Sequence, residues 1–390
     1  MKKLIVAILF VGVTTLSFGQ YEPKGKTTKA ESALNQGKLD IAKAEVDLAF
    51  ELDEKGKVTS SGKNWYLRGR IYKAIYLDDS TEYSDLAGEE ALEIAMESFN
   101  KVNALENENS TYAIFTGQEV SQLYAVLVNE GAEKYNENDF EGAYEYFMKA
   151  LVATPNDTTA LLYGGVSAQQ ADMIDEAISC FSQLVDNGNA NVDTYKTLIY
   201  LYRTEKEDMD KVLETVEKAL EKFPNDKEFT QEKITTLIVT EKVEEAKTEL
   251  ESAISQDPTN ALYYYFLGYL YDFQEEFDRA QENYEKAIEL NPDYYDANYN
   301  LAVIHYNKAR EVIHELNELS LDEYRKQEAA YAEKAQVYFK DALPYFEKAA
   351  EVAADDDLQL LETLQGIYLK LNMKDQASAL DAKIKVLSGQ

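Results

Sequence analysis

The sequence predicts an all-α protein made of antiparallel helix pairs that stack on one another. Three observations support this fold class. Apolar residues recur at intervals of three and four along most of the chain, which gives each helical segment one apolar face. The 390 residues include only 17 Gly and 6 Pro, so there is little material for long loops or sheet turns. Pro155, Pro224, Pro258 and Pro292 each follow an apolar segment and end it, because proline cannot continue a helix.

The most regular helix pair extends from Ala261 to Tyr294 and shows how two helices fit together. The residues that define its pattern are Tyr264, Leu267, Gly268, Tyr271, Ala280, Tyr284 and Pro292. We expect Gly268 and Ala280 to lie where the helices touch, since larger side chains would push the axes apart. With this spacing the unit resembles a tetratricopeptide repeat (TPR). The resemblance implies a right-handed α-solenoid of stacked helix pairs, because one pair cannot bury its apolar faces without neighbours.

Weaker copies of the pattern divide the chain into four parts. These are a signal peptide at 1–19, irregular N-terminal repeats at 20–122, a regular TPR array at 123–294, and a lengthened helical hairpin with a capping repeat at 295–390. Gly131 and Gly165 occupy the small-residue position in the regular array. The repeat from Tyr195 to Pro224 is one residue longer than the norm.

A lengthened hairpin is predicted after Pro292. About 28 additional residues of helical composition separate the two helices of this repeat. We expect each arm, within 306–340, to gain about 14 residues, or roughly 20 Å of helix. Ser320 and Glu323 have the spacing of a capping box. The residues expected to hold the arms together are Val312, Ile313, Leu316, Tyr331, Tyr338 and Phe339.

The first residues are typical of a targeting segment. Lys2 and Lys3 precede an apolar run, Leu4 to Val13, and residues 17–19 place small side chains where a signal peptidase reads them. We expect cleavage before Gln20 and a periplasmic or secreted mature protein without a transmembrane segment. An uncleaved anchor helix is the alternative, although the run is short for a membrane span. No cysteine lies near the cleavage point to carry a lipoprotein anchor.

The composition argues against several classes of function. The formal net charge is −33, from 72 acidic and 39 basic residues, and such a surface repels nucleic acid. The two histidines, His305 and His314, lie nine residues apart, which is not metal-ligand spacing on a helix. Phosphate-binding and nucleophile-elbow motifs are absent from the sequence. We therefore predict no catalytic residue, no metal and no cofactor. The single cysteine, Cys180, is expected to be buried.

The resemblance implies that ligands lie on the concave side, which the first helix of each repeat lines. The residues predicted to line this groove are Tyr265, Tyr269, Asp296, Tyr299 and Tyr306. Tyrosine suits a binding surface because it combines a large contact area with a hydroxyl group. The alternative is that many of the 29 tyrosines fill the core between repeats.

Small basic islands occupy other groove positions of this acidic protein. They consist of Lys63, Arg70 and Lys73 on one helix, and of Lys196 and Arg203 on another. Such groups are suited to accept a carboxylate from a partner. The alternative is that they pair with nearby glutamates. They do not reproduce the Lys/Asn/Arg set with which chaperone-docking members of the family hold a C-terminal carboxylate.

These observations predict a non-enzymatic, exported TPR scaffold that binds a protein or an extended peptide in its concave groove. The hairpin extension at 306–340 is expected to form a second contact. The alternative is a glycan or small-ligand binding protein whose tyrosines stack on sugar rings. The sequence leaves the oligomeric state open.

Overall fold

The computed structural model describes residues 21–78, 80, 83, 86, 90–353 and 357–388. Across these ranges the regular structure consists of helices without any strand, which confirms the all-α prediction. None of these helices reaches the length and apolar character that a membrane span requires. The predicted signal peptide, residues 1–19, falls outside the described residues. The chain divides into two compact units, one that ends at Leu201 and one that begins at Tyr202.

The described part of the first unit forms four helical hairpins and one further helix. Its helices are α1 Thr27–Asn35, α2 Leu39–Glu51, α3 Gly62–Tyr76, α4 Glu90–Leu105, α5 Thr111–Asn136, α6 Phe140–Ala153, α7 Thr158–Gln170, α8 Ile174–Asp186 and α9 Val192–Tyr200. The two helices of each hairpin pack against each other, and α6 also packs against α7 of the next hairpin. Stacking of this kind buries the apolar face of each pair against its neighbours.

The described part of the second unit continues the same architecture. Its helices are α10 Met209–Lys222, α11 Lys227–Val239, α12 Val243–Gln256, α13 Ala261–Phe273, α14 Phe277–Leu290, α15 Tyr295–Asn317, α16 Leu321–Val352, α17 Leu358–Lys370 and α18 Lys374–Ser388. Helix α14 ends before Asn291, which has the extended backbone expected of a residue before proline. Successive hairpins contact each other through α12–α13, α14–α15 and α16–α17.

Small residues allow the paired helices to approach closely, as the sequence predicts. A Cβ atom on Gly268 of α13 would lie 2.8 Å from Cδ1 of Tyr284 on α14. A Cβ atom on Gly165 of α7 would lie 2.8 Å from Cε1 of Phe181 on α8. Both rings are buried, so they have little room to move. The same pairing of a glycine with an aromatic ring recurs at Gly69 with Phe99 and at Gly131 with Phe147.

A three-residue turn of one backbone geometry connects several of the helix pairs. In the α13–α14 turn, the middle residue Glu275 has φ of 60°, and the Glu276 amide donates to the Tyr271 carbonyl at 2.8 Å. This is the Schellman arrangement, in which a left-handed residue lets the last turn of a helix satisfy its carbonyls. The middle residues of five other turns also have positive φ, namely Gly37, Asn138, Asp172, Glu241 and Asn372.

A π-helical turn, Leu201–Glu205, follows α9. The helical stretch that begins at Val192 therefore has 14 residues, nine in α9 and five in the π turn, where α7 has 13. A π turn holds one more residue than an α turn. It therefore accommodates the additional residue that the sequence places in this repeat.

The lengthened hairpin is confirmed, but its two arms are unequal. Helix α15 has 23 residues where α13 has 13, a gain of 10, and α16 has 32 where α14 has 14, a gain of 18. The prediction of about 14 per arm is therefore wrong, although the total is right. The capping box explains the difference: the Ser320 side chain accepts from the Glu323 amide at 3.4 Å, which fixes the start of α16 at Leu321.

The predicted contacts between the arms are present. Val312 and Phe339 are buried in one apolar cluster with Phe346, and Ile313, Tyr331 and Tyr338 pack against it. Leu316 is buried as well. The arms are therefore joined along the extension and not only at its base.

The first described residues are fastened to α2 by a buried carboxylate. Glu45 is fully buried and accepts hydrogen bonds from the hydroxyl of Tyr21 and from the backbone amides of Lys24 and Lys26, at 3.1 and 2.8 Å. The ammonium of Lys29 lies 3.3 Å from the same carboxylate. Burial raises the pKa of Glu45, but the hydrogen bonds outweigh it and lower the pKa to about 2.

Candidate functional site

The predicted groove tyrosines of the second unit lie on two first helices, α13 and α15. Tyr265 and Tyr269 are four residues apart on α13 and therefore share a face. Asp296, Tyr299 and Tyr306 lie on α15. The structure separates these five residues into two groups with different surroundings.

Tyr265 belongs to an ordered aromatic cluster. Its ring centroid lies 5.0 Å from that of Tyr294, 5.5 Å from Phe266 and 6.0 Å from Tyr284. Distances in this range are those at which aromatic rings stabilise one another. Tyr265 is half-buried, so it is at once a core residue and a visible part of the surface.

The electrostatic surroundings of Tyr265 link α13 to α15. Burial raises its pKa to about 12, and the negative charge of Asp296 acts in the same direction, as does Tyr269. The amide of Asn300 beside the hydroxyl acts in the opposite direction. Tyr265 therefore stays protonated at physiological pH. Tyr269 on α13 and Asp296 on α15 therefore both lie within electrostatic range of the Tyr265 hydroxyl.

Tyr269 and Phe273 are the exposed aromatic side chains of this face. Tyr269 is 41% exposed and Phe273, four residues further along α13, is 59% exposed. With Tyr265 they form what is here termed the aromatic face of α13. Phe273 is not among the groove residues predicted from the sequence, although its spacing from Tyr265 and Tyr269 is the signal that identifies it.

Tyr299 and Tyr306 have a different environment. Their ring centroids lie 6.0 and 6.1 Å from that of Phe346 on α16, and both contacts are T-shaped. Tyr306 also lies 5.8 Å from Phe339. Both tyrosines are half-buried and pack against the apolar cluster of the lengthened hairpin. They help to hold α15 and α16 together, which corresponds to the core alternative for tyrosine.

The basic island on α3 is paired with carboxylates. Lys73 is buried, and its ammonium lies 2.7 Å from Glu119 and 3.1 Å from the Glu119 carbonyl. Arg70 lies 3.3 Å from the same carboxylate. Lys63 lies 3.5 Å from Glu31. These contacts correspond to the pairing alternative.

The second basic island consists of Lys196 on α9 and Arg203 in the π turn. Arg203 forms an ion pair with Glu232 of α11. Lys196 is exposed on α9. A carboxylate of a partner would therefore have to compete with Glu232 for Arg203.

The histidine and cysteine positions agree with a structural role. His305 is buried and stacks on Tyr345 with ring centroids 6.0 Å apart. Burial lowers the pKa of His305, so its neutral form is favoured. Cys180 is buried as predicted, and burial raises its pKa to about 11. Within the described ranges no three side chains of the types His, Cys, Asp and Glu are arranged to hold a metal ion.

The fold and these sites define a class: an all-α repeat protein whose exposed aromatic face lies on the first helix of one repeat. Two family models described as tetratricopeptide repeat match residues 261–294 and 283–312. The first match coincides with the most regular helix pair of the sequence, from Ala261 to Tyr294. The chain therefore contains tetratricopeptide repeats within residues 261–312.

Several solved structures are similar to this chain. YrrB, described as a TPR protein with an unusual peptide-binding site, is 24% identical, with 52% of this chain and 96% of that chain covered and a TM-score of 0.35. The C-terminal part of a TPR repeat-containing protein from Cytophaga hutchinsonii is 15% identical, with 67% and 96% covered and a TM-score of 0.45. PilF of Pseudomonas aeruginosa is 16% identical, with 69% and 93% covered and a TM-score of 0.35. No curated protein matches the chain.

The family assignment rests on the two repeat models. Tetratricopeptide repeats form stacked helix pairs with extended surfaces for other molecules, so the fold indicates a protein-interaction scaffold. Proteins built from these repeats are in general non-enzymatic.

Proposed function

We propose that this protein is an exported scaffold that binds a protein or an extended peptide through the aromatic face of α13. The observation that carries the proposal is the graded exposure along that face. Tyr265 is fixed by three neighbouring rings, whereas Tyr269 and Phe273 present 41% and 59% of their surface to solvent. Exposed aromatic side chains on a rigid element bind partners with little loss of conformational entropy.

The polar groups beside this face suit a peptide backbone. Asp296 is exposed, and Asn300 lies beside the Tyr265 hydroxyl. Together they offer a carboxylate and an amide next to an apolar surface, the combination that an extended chain with basic side chains can use. The net charge of −33 acts in the same direction, because it favours the approach of a partner that is basic at its contact surface.

Export is part of the same proposal. It is supported by the sequence of the first 19 residues, with two lysines, an apolar run and small residues before Gln20. A periplasmic or secreted location would place the scaffold among other exported proteins. Fractionation of cells, with N-terminal sequencing of the mature chain, tests this part directly. Recovery of the chain in the cytoplasm with residues 1–19 intact would contradict it.

The binding proposal is tested with a double substitution, Tyr269→Ala with Phe273→Ala. Tyr265 is left unchanged, because its removal would disturb the packing of Tyr284 and Tyr294 as well as any contact. The matched control is Phe277→Ala, since Phe277 is 46% exposed on the neighbouring helix α14. Crosslinking in the cell envelope followed by mass spectrometry should recover a specific partner with wild type and with the control. The double variant should recover at least tenfold less, since two aromatic contacts of about 1–2 kcal/mol each are lost.

Equal recovery by the double variant and the control would show that this face does not bind the partner. Circular dichroism and thermal unfolding of all three proteins exclude a loss of fold as the cause. Neither Tyr269 nor Phe273 is buried, so we expect all three to unfold at similar temperatures.

A glycan is the second candidate ligand, favoured by one observation. Asp296 and Asn300 lie beside aromatic rings, and carboxylate, amide and ring together can hold a sugar by hydrogen bonds and stacking. A soluble polysaccharide that binds there should raise the unfolding temperature of wild type but not of the double variant. Stabilisation by a glycan without capture of any protein would favour this function over the first.

A further inference from the structure

The lengthened hairpin contains a cavity that is separate from the aromatic face of α13, since none of its lining residues lies on α13. It lies between the two arms and the end of α17 and has a volume of about 220 Å³. Ile313 and Leu316 of α15 form one side, and Tyr324, Tyr331 and Phe339 of α16 form the other. Its wall is therefore more apolar than polar and contains three aromatic rings, and the polar side chains Glu328, Gln336 and Lys370 complete it.

Small residues leave this space open. Ala332 and Ala335 lie on the α16 wall, between larger residues that pack against α15. An engineered cavity of about 150 Å³ with similar apolar walls binds benzene. A cavity of about 220 Å³ therefore accommodates one aromatic side chain, for which the three rings of the wall offer edge and face contacts.

Two opposite charges at the opening have no partner. Glu328 and Lys370 both line the cavity and are exposed, so they lie at its opening. Neither forms a hydrogen bond or an ion pair with another residue in the described part of the chain. In contrast, the ammonium of Lys348, which lies on α16 as Glu328 does, is 2.6 Å from the carboxylate of Asp293. The opening thus presents one unused cation and one unused carboxylate beside an apolar space.

We infer that this cavity receives one aromatic side chain of a protein partner, with a basic residue of the partner at Glu328 and an acidic residue at Lys370. The inference rests on the proposed scaffold function and gives its second contact a site and a chemistry. A fatty acid or similar amphiphile fits less well, because its carboxylate could pair with Lys370 but would leave Glu328 without a cation. A peptide of the order basic, aromatic, acidic satisfies both charges and the apolar wall.

The test uses the mature chain and three fluorescent nine-residue peptides. Their central residues are Arg-Phe-Asp, Arg-Ala-Asp and Arg-Phe-Arg, each between Gly-Ser-Gly segments. Fluorescence anisotropy should show the first peptide binding at least tenfold more tightly than the second. The expected ratio follows from the burial of one aromatic side chain, which contributes on the order of tenfold to a hundredfold in affinity.

Two substitutions on α16 separate the cavity from the rest of the hairpin. Ala332→Phe places a ring in the opening and should weaken the binding of the Arg-Phe-Asp peptide at least tenfold. Ala329→Phe is the matched control, because Ala329 is exposed on the same helix and does not line the cavity. It should bind the peptide as wild type does.

A charge reversal tests the opening independently of stability. Lys370→Glu leaves two carboxylates there and should change the preference to Arg-Phe-Arg over Arg-Phe-Asp, by roughly threefold to tenfold. Loss of fold would weaken both peptides alike and could not reverse their order. An unchanged order of preference would overturn the assignment of Lys370.

Other results would refute the inference as a whole. The first is equal binding of the Arg-Phe-Asp and Arg-Ala-Asp peptides. The second is an equal affinity of the Ala332→Phe and Ala329→Phe variants for the Arg-Phe-Asp peptide. The third is displacement of the labelled peptide by decanoate at a lower concentration than by the unlabelled Arg-Phe-Asp peptide. A change from dimer to monomer on Ala332→Phe substitution would identify the occupant as a second copy of this chain instead. The double variant on α13 should bind these peptides normally, so failure of this site and failure of the aromatic face give different results.

Discussion

The nesting of α13 against α14 can be tested by adding one methyl group at each of two glycines. Gly268 faces Tyr284, and the added Cβ would lie 2.8 and 2.9 Å from two ring carbons and 3.3 Å from the Ala280 carbonyl oxygen. Gly366 lies inside α17 of the same unit, where an added Cβ would meet nothing within 4 Å. The two substitutions, Gly268→Ala and Gly366→Ala, make the same chemical change in opposite surroundings.

The magnitudes follow from two terms. Alanine favours a helix over glycine by about 1 kcal/mol, and this gain is common to both sites. At Gly268 the Tyr284 ring must retreat by about 0.6 Å to reach ordinary contact distance, and overpacking of this kind costs about 1–3 kcal/mol. We therefore expect Gly366→Ala to stabilise α17 by about 1 kcal/mol. Gly268→Ala should be less stable than Gly366→Ala by about 1–3 kcal/mol.

Hydrogen exchange of individual helices is the suitable assay, because long repeat arrays need not unfold in one step. Amides of α13 and α14 report on Gly268→Ala, and those of α17 and α18 report on Gly366→Ala. The Tyr265 ring lies 6.0 Å from that of Tyr284, so displacement of Tyr284 should also weaken partner binding at the aromatic face. Equal stabilisation at both sites would refute the inference that close approach of the helices requires glycine at position 268.

Three further predictions concern ionisable groups. The pKa of Glu45, about 2 when folded, is below its ordinary value of 4.5, so the stability it contributes is complete above pH 4.5 and is lost as the pH falls towards 2. Urea unfolding should show a loss of at most about 3 kcal/mol over that range, and Glu45→Gln should remove this dependence. Because burial lowers the pKa of His305 below 6.5, the protection factors of α15 and α16 amides, which are corrected for the intrinsic exchange rate at each pH, should be higher at pH 7 than at pH 5. His305→Phe should abolish that difference, whereas substitution of the exposed His314 should not; persistence of the difference in His305→Phe would assign it to another group. Cys180 should resist iodoacetamide at pH 8 until the chain is unfolded, because its thiol is buried with a pKa of about 11, and rapid labelling of the folded chain would contradict its burial.

The regular part of the fold could be predicted because its signals are local. The sequence predicts that Gly268 and Ala280 lie where α13 and α14 touch, and a Cβ atom on Gly268 would indeed lie 3.3 Å from the Ala280 carbonyl oxygen. The turns between helices carry a weaker signal. Of the six three-residue turns, one has glycine at its left-handed position, Gly37, whereas the others hold residues such as Glu275 and Asp172, so backbone geometry there depends on the helices on either side.

The site was harder to predict, because a helical position alone does not say which neighbour covers a side chain. Tyr299 and Tyr306 occupy groove positions by spacing, yet the lengthening of α16 brings Phe346 and Phe339 against them. Local spacing cannot reveal this contact, since the residues are more than 30 positions apart. Phe273 could have been found from its spacing, because it continues the row of aromatic residues on α13.

The unequal arms of the lengthened hairpin connect its geometry to its cavity. The returning arm gains eight residues more than the outgoing arm, which is about 12 Å of additional helix. Helix α16 therefore carries more surface than α15 can cover. The cavity lies where this occurs, since α16 supplies seven of its lining residues and α15 only two, Ile313 and Leu316. The departure from the repeat therefore adds an apolar recess that the regular hairpin α13–α14, with Tyr284 packed onto Gly268, has no room to form.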